Sequence, residues 1–425
     1  MAAALTPEQT AIVKSTVPVL AQHGETITTK FYHDMISANP SLKNVFNNTH
    51  QATGHQARAL AGALYAYAAN LDDLGKLSPA VELICHKHAS LNVKAEHYSI
   101  VGEFLLKTME SVLGDAATAE LLDAWGAAYW QLANIMIQKE AGMYAATSYW
   151  PGWQDFRIAR KEKEAADITS FYFEPVDATL ELPLFKPGQY VSVNLFVAEL
   201  DGGVWQARQY SLSDAPGKPY LRISVKKEPG VEIGEPKHMA HPGYLSNLLH
   251  DRKEVGDVVQ LSHPFGDFFL SEAQHADKDA PVVLISAGVG LTCLMGILNA
   301  LVQDEDNGGG ARPITWIHGA RESSARAFTA HVDALAACET RLRKLYFSSS
   351  PGAGEVEGRD YDVEGRVDLD RVGEERLFTA NGKAQYFVCG PTQFMLEAEQ
   401  KLKALGVDGD RVHMELFGTG GVPRV

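Results

Sequence analysis

The apolar residues of this 425-residue chain change their period twice, and that change limits the architecture more than any single motif. Up to about residue 147 they recur at helical spacing. "LTPEQTAIVKSTVPVL" places Thr6 as a helix N-cap, Pro7 at the first helical position and Gln9 as the partner in a capping box, with Val13, Val17 and Leu20 following at helical intervals. "EHYSIVGEFLLKTME" and "AWGAAYWQLANIMIQKEAGMY" repeat the pattern. It stops at "SYWPGWQDFRI", where Trp150-Pro151-Gly152 is expected to break the last helix and serve as a short linker. After it come the alternating runs "DFRIARKE", "ITSFYFEPVD" and "YVSVNLFV", punctuated by Pro-Gly, which predict an antiparallel barrel or sandwich. From about residue 280, apolar strands ("PVVLISAG", "PITWIHGA", "QYFVCG") alternate with helices, which predicts a parallel α/β sheet; "DEDNGGGARP" reads as a surface turn within it.

The expected organisation is therefore multidomain: all-α over 1–147, an antiparallel β-barrel over 152–272 and an α/β parallel-sheet domain over 280–425. Length supports this, because 425 residues exceed what one ordinary core holds. The net charge of −15 argues against nucleic acid or an anionic membrane as the main partner. No run of 18 apolar residues occurs, and "MAAALTPEQT" lacks the basic and apolar regions of a signal peptide. Four cysteines, Cys85, Cys293, Cys338 and Cys389, lie far apart and without metal spacing. Reduced thiols in a cytoplasmic protein are expected.

"VELICHKHASLN" (81–92) carries two histidines one residue apart in a helix. At about 100° per residue, Val81, Ile84, Cys85 and His88 share one face, and His86 points roughly opposite, toward water. A buried imidazole needs partners for both nitrogens, since leaving one unpaired costs on the order of 1–3 kcal/mol. A metal on one nitrogen and a hydrogen bond on the other satisfies both. The alternative is a pair of histidines with no ligand. No CxxC or HExxH accompanies them, which disfavours zinc. Haem iron, held by one proximal histidine under an apolar pocket, fits the single inward residue better.

Four motifs carry chemistry further along. "ARQYSLSD" sets Arg208, Tyr210 and Ser211 near a strand end, where a guanidinium can bind a diphosphate, an aromatic can pack on a flat ring and a hydroxyl can reach a ring nitrogen; an ordinary exposed strand is the alternative. In "PGYLSNLLH", Gly243 to Ser246 look like a helix start with free backbone N–H groups, a common phosphate seat. "VVLISAGVGLTCLMGIL" is strand, glycine turn and helix, with Gly288 and Gly290 letting the backbone approach a pyrophosphate, although Cys293 breaks a full GxGxxG. "QYFVCGPTQFM" repeats that logic with Cys389, Gly390 and Pro391. Two such turns on one parallel sheet point to a nicotinamide dinucleotide across its carboxyl edge.

In this order the four motifs resemble the ferredoxin–NADP reductase family, an FAD barrel followed by an NAD(P)H domain. With a globin-sized helical segment in front, the whole chain resembles a flavohaemoglobin. That resemblance implies haem b, FAD and NADH or NADPH as cofactors, and nitric oxide dioxygenase activity: electrons from NAD(P)H pass through FAD to haem, and nitric oxide and dioxygen become nitrate. It makes His88 the proximal iron ligand, in the motif Lys87-His88, with Lys87 among the cofactor-binding residues. It makes Tyr32 of "KFYHDM" the distal tyrosine, sets Phe46 against the haem, and puts Gln56 in the distal pocket with Leu60 one turn on; His50 and His55 lie nearby, but the family pattern uses glutamine. Tyr98 and Glu140 resemble the family's proximal charge relay. Glu140 also stands out on spacing, sharing a helical face with Leu132, Met136 and Met143, where a carboxylate is rarely buried unpaired; a solvated helix rim is the alternative.

For the flavin and nicotinamide, the resemblance implies Tyr190, Arg208, Gln209, Tyr210 and Ser211, then Gly243, Tyr244, Leu245 and Ser246. It continues with Gly288, Val289, Gly290, Leu291, Thr292 and Cys293, and with Cys389, Gly390 and Pro391. It ends with Glu415, Leu416, Phe417, Gly418 and Thr419, Phe417 shielding the flavin ring. Leu291 and Cys293 stand where the family usually has Gln and Pro, "EPGVEIGEPKHMAHPG" is longer than the usual connection, and Thr419 replaces a frequent proline. Arg321 with Ser323 suits a 2′-phosphate, or is an exposed loop arginine, so NADH and NADPH both stay open. The expected partners are small molecules (nitric oxide, dioxygen, NAD(P)H) acting on a monomer, without nucleic acid or membrane. Two other classes compete: a haem oxygen carrier or sensor, and a general reductase with the globin as regulator.

Overall fold

The computed structural model describes residues 4–200, 202–233, 238–240, 243–303 and 312–418. Thr419, most of "DEDNGGGARP" and parts of "EPGVEIGEPKHMAHPG" lie outside the described residues. Seven α-helices come first: α1 (Pro7–Ser15), α2 (Val17–Ala38), α3 (Asn48–Ala52), α4 (His55–Ala69), α5 (Ser78–Ser90), α6 (Ala95–Leu113) and α7 (Ala119–Ala146). The Thr6–Gln9 capping box forms as expected, with Thr6 Oγ1 accepting from Gln9 N–H at 3.1 Å. "LTPEQTAIVKSTVPVL" is not one helix, however. It breaks at Thr16, whose hydroxyl donates to Val13 O at 2.6 Å, and Pro18 sits in the first turn of α2, where no N–H is required of it.

A second correction concerns the linker. Helix α7 ends at Ala146 with Thr147 as its C-cap, four residues before Trp150. Trp150 is buried in the core of the following domain, stacked on Phe156 with ring centroids 5.0 Å apart. It is therefore a core anchor of the β domain.

That domain contains β1 (Gln154–Lys163), β2 (Ile168–Pro175), β3 (Tyr190–Val197), β4 (Val204–Ser211), β5 (Leu221–Lys226), the hairpin β6 (Val231–Ile233) and β7 (His238–Ala240), helix α8 (Tyr244–Asp251) and β8 (Val258–Leu261). Its six-stranded sheet runs β4-β3-β8-β1-β2-β5, antiparallel throughout. A bridge from Leu212 to Ile223, with Ser213 N–H donating to Arg222 O at 2.9 Å, closes β4 onto β5 and makes a barrel. Burial along β3 does not alternate as a half-solvated strand would. Val191, Val193 and Leu195 fill the barrel, while outward-facing Tyr190 is covered by Ala89, Met143 and Tyr144 of the helical domain.

After the short α9 (Glu272–Ala276), the last domain comprises β9 (Val282–Ala287), α10 (Leu291–Gln303), β10 (Ile314–Ala320), α11 (Thr329–Cys338), β11 (Leu342–Ser348), β12 (Val363–Glu364), α12 (Glu374–Leu377), β13 (Gln385–Cys389), α13 (Thr392–Ala404) and β14 (Val412–Glu415). The strands pair in parallel in the order β12-β11-β10-β9-β13-β14. The strand order reverses between β9 and β13, the switch point at which such sheets open a crevice. Helix α10 packs on the barrel so closely that a Cβ at Gly296 would stand 2.5 Å from Leu212 O. Among the described residues, no helix is long and apolar enough to cross a membrane.

Candidate functional site

His88 lies near the end of α5, on the face that carries buried Cys85. Its Nδ1 is 2.9 Å from Glu140 Oε1 and 3.0 Å from Tyr98 Oη. Tyr98 donates its hydroxyl proton to the same carboxylate oxygen at 2.6 Å. With that proton committed, the geometry assigns His88 a proton on Nδ1, donated to Glu140, and leaves a lone pair on Nε2. Among the described residues, Nε2 has no hydrogen-bond partner. Glu140 is only 2 % exposed, so the carboxylate in the apolar stripe is buried and paired, and the rim alternative falls away. Burial and the adjacent carboxylate push the Tyr98 phenol far above its ordinary range, so it remains a donor.

On α2, Tyr32 is buried, with its ring edge-on to Phe46 at 5.5 Å. Its hydroxyl has no hydrogen-bond partner among the described residues, and burial raises its pKa, so an uncharged donor is left over inside the helical core. Thr28, one turn earlier, donates to Ala57 O at 2.8 Å and ties this face of α2 to the start of α4. Gln56 and Leu60 are half-buried there, one turn apart. Gln56 Oε1 accepts from Gln51 Nε2 at 2.8 Å, leaving its amide N–H groups without a partner among the described residues. His50 and His55 pair with each other at 5.8 Å, and burial lowers His50 to about 4.

His86 does not face water. It is largely buried against the barrel, its Nδ1 accepting Gly266 N–H at 3.2 Å and its ring 6.4 Å from Phe265. The helical wheel gave its direction correctly, but a second domain covers that side.

The barrel residues come next. Arg208 Nη2 donates to Asn47 Oδ1 at 2.6 Å and Gln209 Nε2 to Ser90 Oγ at 3.2 Å, so this end of β4 faces the helical domain. Tyr210 packs on the barrel core, and Ser211 is buried. Gly243 precedes α8, whose N-terminal turn holds Tyr244, Leu245 and Ser246; Ser246 Oγ donates to Gly243 O at 2.8 Å and accepts Glu228 N–H at 3.2 Å.

At the switch point the two turns touch. Gly288 has a positive φ of 56°, and a Cβ at Gly290 would lie 2.2 Å from Cys389 O. Leu291, Thr292 and Cys293 follow in the buried first turn of α10, with Val289 packed beside them. Gly390 and Pro391 lead into α13. Cys389 Sγ reaches Glu415 O at 3.3 Å, and Lys87 Nζ donates to Gly418 O at 2.6 Å, which joins α5 to the segment after β14. Burial raises the Glu415 carboxyl to about 8, against the pull of Lys87. Leu416 is half-buried and Phe417 exposed. Arg321 is exposed, and Ser323 already donates its N–H and its hydroxyl to Glu355. A cleft of about 830 Å³ between β1 and α11 meets the candidate residues only at Ser323.

Sequence reasoning missed Gln206 and Asn47, which bond across the helical–barrel boundary. Their one signal was proximity: Gln206 lies two residues before Arg208, on the same strand face.

A sequence profile of the globin family matches residues 29–136, and one of the oxidoreductase NAD-binding domain matches residues 284–400. Fold and site thus define a globin joined to an NAD-binding oxidoreductase module. The chain is 47 % identical over 423 residues to a flavohemoprotein of Bordetella parapertussis, covering 98 % of this chain and 100 % of that one. A flavohemoprotein of Chromobacterium violaceum is 46 % identical over 417 residues, covering 97 % and 98 %. A flavohemoglobin structure from Malassezia yamatoensis, with bound FAD and heme, matches at a TM-score of 0.80 and 27 % identity over 98 % of this chain and all of that one. The FAD/NAD-binding domain of a nitric oxide dioxygenase from Vibrio cholerae matches 62 % of this chain and 98 % of its own at a TM-score of 0.52 and 31 % identity. The chain belongs to the flavohemoprotein family.

Proposed function

We propose that this protein is an NAD(P)H-dependent nitric oxide dioxygenase that turns nitric oxide and dioxygen into nitrate. The observation that carries the reading is the buried Glu140 on His88 Nδ1, in a chain that also carries an NAD-binding reductase fold. The donor set would suit haem b: one imidazole whose Nε2 lone pair has no partner among the described residues, and Tyr32, a buried tyrosine whose hydroxyl likewise has none among them. When bound, the haem iron supplies dioxygen binding, FAD supplies the splitting of a hydride into single electrons, and the nicotinamide supplies that hydride.

His88 Nε2 would hold the iron, and Lys87, bonded to Gly418 O beyond β14, would serve the cofactor sites from the same helix. Glu140 takes the Nδ1 proton into a charge-assisted hydrogen bond, which makes Nε2 a stronger donor. Tyr98 anchors that carboxylate. Tyr32 and Gln56 would offer O–H and N–H donors to a bound oxygen ligand, and Phe46 and Leu60 would keep water out. In the barrel, Tyr190, Arg208, Gln209, Tyr210, Ser211 and the turn Gly243 to Ser246 bind FAD. The turns Gly288 to Cys293 and Cys389 to Pro391 would take the dinucleotide, and Glu415 to Gly418 would serve the flavin site. We assign residues 1–147, 152–272 and 280–425 to the three domains. We take the protein to act as a monomer, and its four free cysteines suit a reducing cytoplasm.

The test is a nitric oxide electrode with the purified protein at submicromolar nitric oxide. The proposal requires rapid disappearance with nitrate formed, dependent on both dioxygen and NAD(P)H. Consumption independent of NAD(P)H over many turnovers refutes it.

A further inference from the structure

Several hydrogen bonds between the helical domain and the barrel converge on Gln206 of β4, which is 1 % exposed. Its Nε2 donates to Lys43 O at 2.7 Å and to Trp205 O of its own strand at 2.9 Å, with Phe46 O a longer, shared third acceptor at 3.3 Å, and its Oε1 accepts Asn48 N–H at 3.1 Å. Neighbours on the same strand add two contacts. Trp205 N–H donates to Asn44 Oδ1 at 2.9 Å, and Arg208 Nη2 donates to Asn47 Oδ1 at 2.6 Å. Residues 43–48 run from the end of a 3₁₀ turn into the start of α3, so their backbone groups are not satisfied within one regular helix. Only a side-chain amide offers both N–H donors and a carbonyl acceptor for such a stretch.

Phe46 sits inside that segment and stands edge-on to Tyr32. Its backbone is thus held on both sides, at Lys43 and Asn48, by a residue about 160 positions away on another domain. We propose that Gln206 is a positioning residue: it clasps residues 43–48 to the barrel and so sets Phe46 against Tyr32, from the same strand that presents Arg208. The importance of that placement rests on the proposed oxygen-side role of Tyr32 and Phe46; the clasp itself does not. Arg208 Nη1 also donates to Gln206 Oε1 at 3.3 Å, so the clasp and the flavin-site arginine form one network.

The experiment compares the full-length holoprotein with Gln206→Leu and Gln206→Glu. Backbone hydrogen exchange over residues 43–48 is followed together with dioxygen release and the stretching frequency of bound carbon monoxide. In Gln206→Leu, exchange over this segment should accelerate about tenfold, dioxygen release should change about threefold or more and the carbon monoxide band should shift or broaden. Gln206→Glu keeps the acceptor for Asn48 and loses both donors, so it should fall between; it also carries the comparison if the leucine variant does not fold. Unchanged exchange overturns the clasp. Faster exchange with unchanged dioxygen release and carbon monoxide band shows Gln206 to be structural only and overturns the positioning role. A parent protein without haem overturns the proposed function instead, and the exchange result still decides the clasp.

Discussion

Replacing Glu140 with Gln isolates the charge on the proximal side with little change in shape. Glu140 Oε1 accepts two protons, from His88 Nδ1 at 2.9 Å and Tyr98 Oη at 2.6 Å, in a site closed to water. A hydrogen bond to a charged acceptor is worth about 1.5–3 kcal/mol net, against about 0.5–1.5 kcal/mol for a neutral one. Glutamine keeps an acceptor oxygen and loses the charge, so about 1–1.5 kcal/mol of selective stabilisation of the oxidised, more positive iron disappears. At about 1.4 kcal/mol and 59 mV per factor of ten for a one-electron couple, the haem reduction potential should rise by about 40–65 mV. Dioxygen activation should slow in parallel. Spectroelectrochemical titration of the purified variant measures the shift, with Tyr98→Phe giving a smaller one because the Glu140–His88 bond survives. A Glu140→Gln potential within about 10 mV of the parent, or below it, refutes the claim that this carboxylate tunes the iron.

Tyr32→Phe removes one donor worth ~1.5–3 kcal/mol, so stopped-flow dioxygen release should be roughly ten- to a hundredfold faster; a rate within twofold of the parent removes Tyr32 from the distal site. His88→Ala should lose haem absorbance and keep that of flavin. His86→Ala should keep both but unfold at lower temperature, because the Gly266 contact goes; haem lost from the His86 variant alone reverses the assignment. The Glu415 carboxyl, raised to about 8, is neutral in the folded protein at pH 7, whereas the unfolded chain ionises near its ordinary 4.5. Its stabilising contribution is intact below that ordinary value and is lost as pH rises through about 8. Glu415→Gln should therefore raise the melting temperature over the parent at pH 8–9 and not near pH 4.5; an equal effect at both contradicts the buried, protonated carboxyl.

The helix-face arithmetic that separates His88 from His86, and sets Glu140 in an apolar stripe, works because both lie on long helices whose period is written locally. Tyr98 had no such signal, being one of 15 tyrosines in the chain with nothing local to single it out, and the family resemblance supplied it. His86 was placed toward water because a wheel shows which side leaves the helix's own core, not that a barrel packs there. The break at Thr16 was hidden by Val13, Val17 and Leu20, whose spacing runs through it. Gln206 and Asn47 were illegible for a different reason: side-chain hydrogen bonds between segments about 160 residues apart leave no period in either. The glycine turns at Gly290 and Cys389 were readable because close backbone approach excludes a Cβ.

The most direct measurement is the ratio of nitrate formed to NAD(P)H oxidised by the purified protein, with nitric oxide limiting and dioxygen in excess. One hydride carries two electrons and each nitric oxide consumes one, so the account predicts two nitrates per NAD(P)H. NAD(P)H oxidised without nitrate, or with nitrate far below that ratio while nitric oxide is being consumed, would contradict it.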